Sequence, residues 1–69
     1  MKVQDAIIGT RVRSLMDFSG VPKGTEGTLD EDYGSGVMIC WDLPREPWQK
    51  PLRDGFDKWN ELHFLEVVD

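Results

Sequence analysis

The chain is expected to fold as one all-β domain over residues 1–69, a small closed barrel of about five strands with one short helical turn before the last strand. Three features predict it. The run Lys23-Gly24-Thr25-Glu26-Gly27-Thr28-Leu29 sets two glycines three apart beside a β-compatible segment. Gly24 suits a turn that needs positive φ, and Gly27 removes a side chain where a neighbouring backbone must approach closely. Gly34-Ser35-Gly36 then supplies the flexibility of a tight hairpin, and the most hydrophobic run of the chain, Val37 to Asp42, follows it at once. Short alternating segments near each end provide the remaining strands.

Gly9 to Met16 reads as the first strand, with Thr10, Val12, Ser14 and Met16 on one face and Arg11, Arg13 and Leu15 on the other. Asp17 to Gly24 is a loop. Thr25 to Tyr33 is the second strand. In the third, Val37 to Asp42, the residues Val37, Ile39 and Trp41 face inward, and Met38 and Cys40 make the outer face apolar too, as in a strand covered on both sides. Pro44, Pro47 and Pro51 remove three backbone donors, so no ladder runs through Leu43 to Asp54. Leu52 to Lys58 is a short fourth strand. Trp59 to Leu62 is one helical turn, with Trp59 and Leu62 sharing a face. Phe64 to Val68 closes the barrel, Leu65 and Val67 pointing inward and Glu66 outward.

Composition narrows the function. A chain of 69 residues buries only about 60% of the surface its unfolded form exposes. Its core is worth roughly 3–5 kcal/mol without a staple. Cys40 is the only cysteine, which excludes an internal disulfide and a cysteine-based zinc site. No apolar run reaches signal-peptide or membrane-span length, so a cytoplasmic setting without membrane contact is expected. The net charge of −5 argues against a nucleic-acid partner, which calls for a basic stripe. The charge is uneven, however. Met1 to Thr25 holds four basic and two acidic residues, and the remainder four basic and eleven acidic. The first strand is thus the place for a basic patch, against the plainer account of a solvated, solubilising surface.

Gly9-Thr10-Arg11-Val12-Arg13, KGTEGTL and NELHFLEVV, with the order of elements above, resemble the SH3-like barrels grouped as electron-transport accessory proteins. These include the variable chain of ferredoxin–thioredoxin reductase, photosystem I subunit IV and the C-terminal domain of the nitrile hydratase β subunit. The Pro44–Pro51 stretch departs from that pattern, and a small uncharacterised bacterial family of the same fold is the alternative assignment. The resemblance carries over Gly24, Gly27 and Asn60-Glu61-Leu62 as barrel-building positions. It implies a barrel with no cofactor of its own that packs against a catalytic or redox partner.

Chemistry-bearing clusters are sparse. Cys40 and His63 are single residues, and a cysteine inside an apolar strand behaves as a small hydrophobe rather than a nucleophile. Asp30-Glu31-Asp32 lacks the flanking helices and the twelfth-position glutamate of a calcium loop, where Trp41 stands instead. No metal, cofactor or catalytic residue is therefore assigned, and an enzyme is not expected. The aromatic run of peptide-binding SH3 domains is missing, and Pro44-Arg45-Glu46-Pro47 is treated as a chance Pro-x-x-Pro. Trp41 and Phe64 are assigned to the core. Trp48, framed by Pro47 and Pro51, is expected to fold back as a lid on the barrel, the alternative being a contact hot spot. Trp48, Arg45, Tyr33 and Phe18 are the candidate partner-binding residues. The expected function is a non-catalytic interaction or accessory module docking onto a larger protein. The alternative is a KOW-like nucleic-acid or ribosome-associated barrel using Arg11, Arg13 and Lys23.

Overall fold

In the computed structural model the chain forms β1 (Arg11–Ser14), β2 (Glu26–Asp32), β3 (Gly36–Trp41), β4 (Arg53–Asp57) and β5 (Leu65–Val67). The structure describes residues 1–18 and 20–69; Ser19, assigned by sequence to the loop after the first strand, lies outside the described residues. All pairings are antiparallel, in the order β4-β3-β2-β1-β5, and the sheet curls into a half-barrel. Helical structure among the described residues amounts to two 3-10 turns, Val3–Asp5 and Leu62–Phe64. No helix among them is long and apolar enough to cross a membrane.

The alternation read from the sequence sets the concave face. Val12, Leu29, Val37, Ile39 and Leu65 are wholly buried, and Trp41 and Phe56 nearly so. Each such side chain is worth about 1.5–3 kcal/mol in transfer from water. Gly27 sits opposite both Val12 and Trp41 in the ladders. A Cβ there would stand 2.7 Å from the Cys40 carbonyl oxygen and 2.9 Å from Ile39 Cγ2, so the close backbone approach expected at this glycine is present. Gly24 and Gly34 take the positive φ their turns require, +91° and +92°. Leu29 and Glu31 flank a register shift against β3, a bulge at Asp30 that increases the local twist and helps curl the sheet.

Four strands are shorter than expected, whereas β3 keeps its six residues and starts one residue earlier. Gly9 at φ +99° turns the chain into β1. After β1, the Ser14 hydroxyl donates to the Met16 carbonyl and bends the chain away. The helical turn expected over Trp59–Leu62 is divided between two short turns. The segment Lys58–Glu61 is held by Asp57, whose carbonyl accepts from the Glu61 N–H at 3.0 Å and whose own N–H donates to the Glu61 carboxylate at 2.8 Å. The bond from the Glu61 N–H closes a single turn over residues 57–61, and a 3-10 turn follows at Leu62–Phe64. Trp59 and Leu62 do not share a face, since Leu62 is buried and Trp59 is 71% exposed. Phe64 belongs to the 3-10 turn rather than to β5 and packs against the rim of the core. Cys40 is half-buried on the convex face, not enclosed.

Candidate functional site: the Trp48 loop and the convex face

The lid assigned to Trp48 is supplied by another residue. Phe18, in the loop after β1, places its ring among three aromatics: 5.4 Å from Phe56, 6.2 Å from Phe64 and 6.3 Å from Trp41. Its contacts with Phe56 and Phe64 are edge-on, the arrangement ring quadrupoles favour. A short bridge between Phe18 and the wholly buried Val21 fixes that position. Phe18 is therefore a structural residue before it is a partner-binding one.

Trp48, in contrast, is 80% exposed. The cause lies in its own loop. The Gln49 N–H donates to the Glu46 carbonyl at 2.9 Å, which makes Glu46-Pro47-Trp48-Gln49 a β-turn with proline at its second position. No described residue other than glycine has positive φ, so the turn is of type I, for which the fixed φ of Pro47 is already suited. The Gln49 side chain accepts from the Glu46 N–H at 2.9 Å. The Arg45 Nε donates to the Lys50 carbonyl at 3.1 Å and ties the two arms together. Leu43 and Leu52 pack against the core, and every residue between them is exposed. The loop is thus braced from within and rests on the body only at its two ends.

The four candidate residues do not converge. Arg45 and Trp48 share the loop that links β3 to β4. Tyr33 lies in the hairpin at the opposite end of those strands, since Gly36 pairs with Asp57 at one end of the ladder and Cys40 with Arg53 at the other. The Tyr33 ring covers Gly36 and Gly55 and is 47% exposed. Among the large exposed apolar residues, sequence reasoning missed Trp59 and the pair Ile7 and Ile8, each of the latter 65% exposed. The only signal at Ile7-Ile8 was two adjacent aliphatics outside any alternating run.

The convex face is a lattice of charge pairs rather than a basic patch. Arg11 donates to Thr28 Oγ1 at 2.7 Å and, through both terminal nitrogens, to the Asp42 carboxylate, with Glu26 at 3.4 Å. Arg13 lies between Glu66 at 3.7 Å and Glu26 at 3.9 Å. Arg53 grips Asp30 with Nε and Nη2 at 3.0 and 2.7 Å and reaches Glu31 at 3.1 Å. The Lys58 ammonium reaches Asp32 at 2.9 Å. These donations hold the Asp42 carboxyl below the ordinary carboxylate range, by way of Arg11, and the Asp32 carboxyl likewise, by way of Lys58 and then the Gly34 N–H. A basic patch on the first strand, the reading weighed against a solvated surface, does not form because the register sets Glu26 and Glu66 directly opposite Arg13. Lys23 stands apart in the loop after β1, its backbone N–H donating to Asp17 at 2.7 Å.

No group of three or more His, Cys, Asp or Glu side chains converges among the described residues, and they enclose no pocket. What the surface offers is a preformed protrusion carrying an indole, a guanidinium and an ammonium. Comparisons with protein-family models, with curated proteins and with solved structures find no match to this chain.

Proposed function

We propose that this chain is an SH3-like barrel serving as a non-catalytic interaction or accessory module that docks onto a larger cytoplasmic protein through the Trp48 loop. One observation carries the proposal: a tryptophan, 80% exposed, stands at the tip of a turn made rigid by proline and by its own hydrogen bonds. Tryptophan and arginine dominate interface energetics, and a preordered loop loses little entropy on contact. The barrel assignment draws support from the strand order, with β5 beside β1 at one edge and β4 at the other, and from the 3-10 turn leading into β5. Barrel closure is part of the proposal, as is the resemblance to electron-transport accessory proteins, whose barrels pack against partners. The KOW-like alternative has less support, since Arg11 and Arg13 already face carboxylates of this chain.

The test is a paired pull-down with wild-type protein, Trp48→Ala and Trp59→Ala. A protein retained by wild type and Trp59→Ala but lost with Trp48→Ala supports docking through this loop. Retention by Trp48→Ala, or loss with Trp59→Ala alone, removes the loop from the proposal.

A further inference from the structure

We propose that the Trp48 loop recognises an acidic protein segment, in which an apolar side chain packs on the Trp48 indole and a neighbouring Asp or Glu carboxylate is taken by Nη1 and Nη2 of Arg45. The inference rests on the docking role of the loop and adds the chemistry of its partner.

Charge complementarity carries it. Arg11, Arg13, Arg53 and Lys58 are each held by carboxylates of this chain. Arg45 and Lys50 have no carboxylate within ion-pair distance among the described residues, and neither does the adjacent Glu46 find a cation. The loop thus carries two uncommitted cations against one carboxylate, on a body that holds the excess acid of a chain of net charge −5. Moreover, the bond from Arg45 Nε to the Lys50 carbonyl fixes the guanidinium by one edge. Its two terminal nitrogens keep their donors for a bidentate partner, the geometry that matches a carboxylate. Lys50, on the opposite arm, adds a second positive charge to the same loop.

An extended polyanion fits less well. RNA or an anionic membrane would lie across the whole face and meet the acidic body, whereas a compact acidic segment meets only the tip. An isolated carboxylate also suits a site with one bidentate fork.

The experiment selects a displayed library of random dodecapeptides on the wild-type protein, with Trp48→Ala for counter-selection. Enriched peptides are expected to carry Asp or Glu beside a bulky apolar residue. A synthetic copy should weaken by about tenfold or more on Arg45→Gln, and equally when its acid is changed to the amide, with the melting temperature of Arg45→Gln unchanged. Trp48-dependent peptides that lack acids, or that bind Arg45→Gln as well as wild type, overturn the partner chemistry and leave the docking loop standing. An absence of any Trp48-dependent binder counts against the docking loop and takes this inference with it. Arg45-dependent binding to phosphatidylserine vesicles or to an oligouridine, tighter than to any selected peptide, overturns the inference in favour of a phosphate ligand.

Discussion

The ring of Tyr33 lies on the backbone of Gly36. A Cβ at Gly36 would stand 2.6 Å from the Tyr33 Cζ and 2.7 Å from the Phe56 carbonyl oxygen. The hairpin closes through the same pair, the Tyr33 N–H donating to the Gly36 carbonyl at 3.0 Å. An aromatic ring here covers backbone that two glycines, Gly36 and Gly55, would otherwise leave bare.

Gly36→Ala is therefore expected to destabilise by about 1–3 kcal/mol through overpacking. In a Tyr33→Ala background the same change should cost less, though not nothing, because the Phe56 carbonyl remains. A urea double-mutant cycle measures the coupling, expected at about 0.5 kcal/mol or more. A coupling of zero would show that the ring does not rest on the glycine.

Gly27→Val should cost about 2 kcal/mol or more, since three atoms already crowd its missing side chain within 2.9 Å. Thr28→Val, the neighbouring convex-face change, should cost only about 0.5–1.5 kcal/mol, the price of the hydrogen bond that Thr28 accepts from Arg11. Urea midpoints of the two variants give the comparison, and equal shifts would contradict the facing of β2.

Phe18 and Trp48 should separate cleanly in thermal melts. Phe18→Ala removes a ring wedged among Trp41, Phe56 and Phe64 and is expected to cost about 2 kcal/mol or more, a large share of the stability of so small a domain. Trp48→Ala should stay within about 0.5 kcal/mol of wild type, and acrylamide should quench the Trp48 part of the emission readily. A Trp48→Ala protein that melts early would place that indole on the sheet.

The acid limb of stability should report Asp42. Its carboxyl is lowered by donation from Arg11, so the unfolded chain takes up the proton at higher pH than the folded one. The stabilisation is fully present above the ordinary carboxylate value of about 4 and is lost as pH falls through the lower folded value. Asp42→Asn is expected to cost less than about 1 kcal/mol at neutral pH, because both partners are partly exposed, and to melt like wild type once the pH lies below the lowered folded value. A gap between the two curves that persists below that value would mean that the residue acts through packing instead.

Much of the fold was legible in the sequence because it depends on local chemistry. Alternation placed Val37, Ile39, Trp41 and Leu65 inward and set Val12 and Ser14 on one face of the first strand, and the glycines marked the turn and the close crossing. What stayed hidden depends on register and on which aromatic reaches the core first. Nothing in the chain order says that Glu26 and Glu66 stand beside Arg13, and so the apparent basic patch vanished only in the folded sheet. Likewise, a lone tryptophan among prolines reads equally as a lid or as a protrusion. The choice was made by Phe18, which fills the aromatic cluster, and by the Gln49 and Arg45 bonds, which hold the Trp48 turn apart.

Leu43 and Leu52 are the two points where the Trp48 loop meets the core, and everything from Pro44 to Pro51 is in solvent. Eight consecutive residues therefore carry almost no part of the folding energy and are subject to almost none of its constraints. Such a segment behaves as a cassette: its tip can change from one chain to the next, in charge, in aromatic residue or in length, while the sheet beneath it stays the same. Divergence of the tip is thereby uncoupled from survival of the sheet.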